Sequence, residues 1–333
     1  MRLIMRIIVS HSKAPWSLGD YCMRALTKLG HEVIPHDYLA SSHKYGLPGH
    51  AVSKLVLGDA LPNRRLLSLA KKESPDMVLV LKGEVLEPFT IESLKKRGIK
   101  TANWCMDSPF HPLYSSPKVA KSIQFYDSFF TPVKDMEKRL MALGFDNARF
   151  LPFACDPEIH KPAELSAAEQ EAFGSNVCFV GTYYPEREAL LSGMERFGLK
   201  IWGNEWQNCE NESLKKSAIM RPANGQNMAR VFSASKIAIG THQEQSMGSL
   251  TMRAFEAPAC GGFMLVDDRP DLRLFYAKNE MASYRTKKEM LNLIDYYLRN
   301  EKERKTMAQR ARKKAIQKHT YVHRIKQMLK DLE

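Results

Sequence analysis

The chain has 333 residues, 44% of them hydrophobic, and 50 lysines and arginines against 37 acidic residues give it a formal charge of +13. That length fills about two cores of roughly 150 residues each and excludes a single small domain. The composition also excludes a membrane span, which needs roughly 20 apolar residues, and a Cys-x-x-Cys metal or redox site, because the six cysteines lie far apart.

In chain order, strand-like apolar runs fall at 6–10, 32–36, 77–81, 101–105, 128–131 and 149–153, most of them separated by helical segments. The first run is followed at once by Ser10, His11, Ser12 and Lys13, so it reads as a buried strand and not as a secretory signal. A cytoplasmic protein with reduced thiols is expected. The helix predicted over 16–29 ends at Gly30, and later helices end at Gly98 and Gly144, where a left-handed cap costs glycine least. Pro157 and Pro162, followed by a small acidic stretch, mark a linker over 156–172. The strand pattern restarts at 176–180, 200–202, 236–239 and 263–266, and helices fill 286–332. Strands alternating with helices predict α/β architecture with parallel sheets. The divisions expected are 1–160, 161–315 and 316–333.

Charge of this sign and size attracts nucleoside diphosphates, anionic lipid head groups or nucleic acid. Much of the excess lies on Lys302, Arg304, Lys305, Arg310, Arg312, Lys313, Lys314 and Lys318, which spread around helical turns. They read as a solvated helix face, with peripheral contact to an anionic surface as the alternative.

Residues 245–265, QSMGSLTMRAFEAPACGGFML, carry the densest chemistry. A turn of Ser246, Gly248 and Ser249 leads into a helix predicted to start at Leu250 or Thr251, leaving free amides for an anionic diphosphate. Arg253 and Glu256, three apart, share a helix face, so one can meet a phosphate and the other sugar hydroxyls. An ordinary capped helix with an internal ion pair explains the same residues. Gly181 and Thr182 follow a strand where a missing side chain lets amides approach phosphate, or merely makes a tight turn. Trp202 reads as core. Asp107, ending a strand before Pro109, can accept an acceptor's proton or cap a turn. Lys82 follows another strand, and His11, Ser12 and Trp16 sit in a loop after the first; all four are acceptor-side candidates. Asp267 and Asp268 lack the His or Glu neighbours of a hard-cation site, so no metal is expected.

FEAPACGGFMLVDD resembles the donor-binding segment of GT-B glycosyltransferases, and RAFEAPACGGFMLVDDRPDLRLFY is similar to the CgeB (spore maturation protein) branch. NVCFVGTYYPEREALL and HTYVHRIKQML resemble further parts of that branch, with weaker likeness in PDMVLVLKG, NWCMDSPF and LPFACDPEIHKP. The resemblance implies two Rossmann-like domains with parallel sheets facing across a cleft, and a last helix crossing back to the first domain. It implies that Glu256 binds a nucleotide ribose. The expected reaction moves a sugar from a nucleoside diphosphate sugar, UDP-linked by preference, to a hydroxyl on a polysaccharide, lipid-linked sugar, protein or nucleic acid. No cofactor beyond that co-substrate and no essential metal is expected. The second glutamate that many retaining GT-B enzymes carry eight positions before the ribose-binding one falls on Gly248, and the usual lysine after the Gly181 turn is absent, so Arg187 is the expected substitute for charge compensation. Retention and inversion both stay open. Sugar transfer onto a modified nucleic-acid base and a catalytically silent nucleotide-sugar binding module are the alternative readings.

Overall fold

The computed structural model describes residues 4–13, 16–40, 60–112, 115–241 and 249–333. The described residues divide into two compact units: one holds those up to Pro152 together with Tyr321–Glu333, the other those between Phe153 and Thr320. This boundary falls before Pro157 and Pro162. Phe153, Ala154, Cys155, Ile159 and His160 are buried and belong to the core of the second unit.

The first unit runs β1 (Arg6–His11), α1 (Leu18–Lys28), β2 (Glu32–Asp37), α2 (Ala60–Glu73), β3 (Met77–Leu81), α3 (Pro88–Lys96), β4 (Lys100–Trp104), α4 (Pro117–Ser122), β5 (Ser128–Thr131), α5 (Lys134–Ala142) and β6 (Ala148–Phe150). Its strands pair in parallel in the order β2-β1-β3-β4-β5-β6. β3, MVLVL, is buried at every position, as expected of an inner parallel strand covered on both faces. β2 accepts Pro35 because it is an edge strand and one missing N–H does not break an inner ladder. β6 is shorter than the run at 149–153: Leu151 N–H still reaches Thr131 O, but Pro152 has no N–H to continue. Gly30, Gly98 and Gly144 take φ of 89°, 75° and 88° just past α1, α3 and α5, the left-handed conformation that ends a helix cheaply in glycine.

The second unit runs α6 (Ala167–Phe173), β7 (Val177–Val180), α7 (Pro185–Leu191), β8 (Leu199–Trp202), α8 (Glu212–Lys216), α9 (Gln226–Ala234), β9 (Ile237–Gly240), α10 (Arg253–Ala259), β10 (Met264–Asp267), α11 (Leu272–Phe275), β11 (Ala282–Tyr284), α12 (Lys287–Arg299) and α13 (Glu301–Lys318). Its parallel sheet has the order β11-β10-β9-β7-β8. β11 has three residues, too few for a readable period. All six cysteines are buried and free, and burial pushes the Cys178 thiol up to about 12. Arg304 departs from the expected solvated face of α13: it is buried, and its Nη1 donates to Tyr297 O.

The last helix, α14 (Tyr321–Lys330), packs within the first unit. Tyr321 stacks on Tyr21 of α1 at 5.1 Å and meets Trp104 at 6.3 Å. Arg324 Nε donates to Pro152 O at 2.9 Å. Among the described residues no helix is long and apolar enough to cross a membrane.

Candidate functional site

In the second sheet β7 comes first in the chain, and its two neighbours β8 and β9 lead the chain away in opposite directions. At such a switch point the loops leave the strand ends on opposite faces, opening a crevice where ligands of parallel sheets bind. The turn after β7 is Gly181–Thr182. Gly181 N–H donates to Trp202 O at 2.8 Å, and Trp206 Nε1 donates to Gly181 O at 2.9 Å. A Cβ on Gly203 would stand 1.9 Å from Gly181 O, so glycine at 203 is what lets the β8 end close on this turn. Gly203→Ala should therefore cost about 1–3 kcal/mol by overpacking and weaken ligand binding at the turn. Urea denaturation and a nucleotide titration of the same variant check both effects.

Two guanidinium groups converge on the turn. Arg187, from α7, donates from Nη1 to Thr182 O at 2.6 Å and lies over the rings of Phe179 and Tyr184 at 5.3 and 5.0 Å. Among the described residues no carboxylate pairs with it, and its Nε is buried without a partner. Burial first, and then the nearby charge of Arg253, bring its pKa down to about 10. It remains a cation at neutral pH. Arg253, the first residue of α10, donates from Nε to Val180 O at 3.4 Å. Its Nη1 binds Glu256 Oε2.

The expectation for the start of α10 needs correction. The helix begins at Arg253, not at Leu250 or Thr251, and with Met252 as an N-cap that offers no side-chain bond it is only seven residues long. Ser249 and Leu250 are buried, and the Ser249 hydroxyl donates to Leu250 O; Thr251 is half-buried and its carbonyl accepts from Ala254 N. The positive charge at this place thus comes from arginine side chains more than from a long helix dipole. Gly248 and Ser246 lie outside the described residues.

Glu256 is also not open as a ribose ligand would be expected to be. Its side chain is 1% exposed, tied to Arg253 on one oxygen and facing His160 Nε2 at 3.6 Å on the other. His160 is missing from the sequence-level candidates; it stands in the segment LPFACDPEIHKP, but its partner lies far along the chain and no local spacing announces it. Burial lowers the His160 pKa, against the opposing pull of Glu256.

In the first unit the switch point lies between β1 and β3. His11 ends β1, buried, with Gly19 packed directly on its ring and Nδ1 3.1 Å from Ser12 O. Desolvation lowers its pKa. Ser12 is half-buried. Trp16 is 40% exposed at φ 59°. The structure joins two candidates that the sequence kept apart: Lys82 Nζ sits 3.2 Å from Asp107 Oδ2 and 2.9 Å from Glu84 Oε2. Burial alone would lower the Lys82 pKa, but these two carboxylates outweigh it and hold the ammonium above its ordinary value. Trp202 is core, stacked on Phe173 at 5.4 Å. Asp267 and Asp268 are engaged by Arg269 and Arg285, at 2.6 and 3.2 Å.

Residues 187–330 match the model of a glycosyl transferase-like family. The chain is thus a glycosyltransferase. None of the curated proteins matches it. Among solved structures, the glycosyltransferase is similar to sucrose-phosphate synthase from Thermosynechococcus elongatus, with a TM-score of 0.68 and 11% identity over 98% of this chain and 99% of that one. It is similar to Anabaena HepE solved with UDP-glucose, at 0.67 and 11% over 98% and 99% of the two chains. A third is an alpha-glucosyltransferase solved with UDP and a 13-mer DNA containing an HMU base, at 0.65 and 11% over the same shares, 98% and 99%. At such identities the likeness is one of fold: two Rossmann-like α/β domains with parallel sheets, as in GT-B glycosyltransferases.

Proposed function

We propose that this glycosyltransferase moves a sugar from a nucleoside diphosphate sugar to a hydroxyl acceptor, with the donor's diphosphate held at the Gly181 turn. The observation that carries this reading is the meeting of Arg187 and Arg253 on carbonyls either side of Gly181, Thr182 O and Val180 O. Two cations beside one carboxylate leave net positive charge for a dianion, at the sheet edge where ligands of this fold sit. In the reaction the bond from the anomeric carbon to the diphosphate breaks, and its electron pair leaves with the diphosphate. The acceptor oxygen bonds to that carbon and gives up its proton to a general base. The guanidinium groups stabilise the growing charge on the leaving group, a task that a divalent cation performs where such arginines are lacking, so no essential metal is proposed.

A uridine donor is our preference, because HepE is solved with UDP-glucose and the alpha-glucosyltransferase with UDP. Glu256 is the proposed ribose ligand, Ser249, Leu250 and Thr251 border the donor, and Asp107, oriented by Lys82, is the acceptor-side carboxylate, with His11, Ser12 and Trp16 as further acceptor-side residues. We further propose a place in the CgeB-like branch and in the cytoplasm, where nucleotide sugars are made. A nucleic-acid acceptor is the second reading, favoured by the DNA-bound neighbour and the charge of +13.

A thermal-shift panel of UDP, GDP, ADP and their glucose conjugates tests the donor. A ligand at a hundred times its Kd stabilises the folded state by about 2.7 kcal/mol, which raises Tm by a few degrees in a protein of this size. No shift with any of them would remove the reading. Slow release of free diphosphate from a shifting conjugate excludes a silent binding module.

A further inference from the structure

Glu256 is gripped on one side and unsatisfied on the other. Oε2 is bound by Arg253, whereas Oε1 accepts no hydrogen bond although the side chain is 1% exposed. A buried carboxylate oxygen left without a donor is costly, so its surroundings indicate what meets it in the working state. His160 faces it: the ring is fully buried, with Nε2 3.6 Å from Oε1. Asp156 N–H donates to His160 Nδ1 at 2.9 Å, which makes Nδ1 the acceptor and leaves the proton on Nε2, toward Glu256.

Arg253 is placed differently. Its side chain is 30% exposed, and it also bonds Val180 O beside the Gly181 turn. It therefore reaches both the carboxylate and the place proposed for the diphosphate.

We propose that His160 is a positioning residue for donor binding, holding Glu256 toward the ribose hydroxyls when Arg253 leaves the carboxylate for the diphosphate. The proposal rests on the donor reading above. In the ligand-free protein Arg253 covers and neutralises Glu256. Once the guanidinium turns to phosphate, Oε2 is uncovered and two ribose hydroxyls replace the arginine as donors. His160, pinned by the Asp156 amide, does not move and keeps the carboxylate from following the arginine. One exchange of partners thus couples recognition of phosphate to recognition of ribose.

Calorimetric titration with UDP and with 2′,3′-dideoxy-UDP tests this in wild type, His160→Phe and His160→Gln, with GDP and ADP run alongside on the wild type. Phenylalanine keeps the ring volume and loses the donor; glutamine offers an N–H at a similar reach. Wild type is expected to prefer UDP to its dideoxy analogue about tenfold or more, the scale of hydrogen bonds to a charged group. His160→Phe should bring that preference to within about twofold, leaving dideoxy-UDP affinity unchanged, whereas His160→Gln should keep it. A merely structural histidine would weaken both ligands together. Retention of the preference in His160→Phe overturns the proposal, as does its loss in His160→Gln or its absence in wild type. If His160→Phe does not fold, His160→Gln decides alone. A wild type that binds none of the three diphosphates instead removes the donor reading itself.

Discussion

Arg253→Ala should lower kcat/KM for the donor sugar about a thousandfold, the upper range for removing one preorganised charge from a transition state. The size follows from the two jobs that the side chain combines. It supplies half of the paired positive charge at the Gly181 turn, and it is the cation that neutralises the buried Glu256. Loss of the first leaves Arg187 alone against the leaving diphosphate. Loss of the second strands a buried carboxylate, which costs up to about 3 kcal/mol of stability, discounted because the arginine is partly exposed. The two effects separate experimentally: kcat/KM is measured well below the melting temperature of the variant, and stability by denaturation. Arg253→Lys should recover the charge but only a small part of the rate, since an ammonium cannot span Val180 O, the carboxylate and a phosphate with a planar fork. A folded Arg253→Ala enzyme with kcat/KM within about threefold of wild type would take Arg253 out of the reaction.

The sequence reads well where burial is two-sided. The expected strands at 77–81 and 128–131 coincide with β3 and β5, both buried at every position: β3 is an unbroken apolar run, as an inner parallel strand favours, and in β5 two phenylalanines between Ser128 and Thr131 carry the same signal. It reads poorly where tertiary contacts set the ends. Pro152 stops β6 early, and β11 is defined by its partner β10, not by its own three residues. At the site, Gly181, Arg187, Arg253 and Glu256 were all visible as chemistry, and the structure gathers the first three at one turn. What was hidden is how Glu256 is used. Its spacing from Arg253 predicts a shared helix face, and the two do pair, but nothing local says that the carboxylate turns inward toward His160. The pairing of Lys82 with Asp107 was hidden for the same reason: the two residues follow the ends of neighbouring strands β3 and β4, and only the sheet order brings them together.

Tyr321→Ala should destabilise the first unit by about 3–5 kcal/mol, the range for truncating a fully buried aromatic side chain to alanine. Tyr321 is 1% exposed and fills the space between Tyr21 of α1 and Trp104 of β4, so alanine leaves a cavity against two other large rings. The effect is larger than the length of α14 suggests. A helix of ten residues has little stability of its own, and nearly all its order comes from the face that it buries. Loosening that face also weakens the bonds of Arg324 to Pro152 O and Gln327 to Phe150 O, at 2.9 and 3.2 Å, which tie the end of β6. The loss should therefore appear in β1, β4 and α1, far from residue 321 in sequence, as faster amide exchange. Because the chain has two units, the urea transition is fitted for each and not as a single two-state step. If exchange in the first sheet stays at the wild-type rate while the helix alone frays, the last helix is an appendage of the unit and not part of its core.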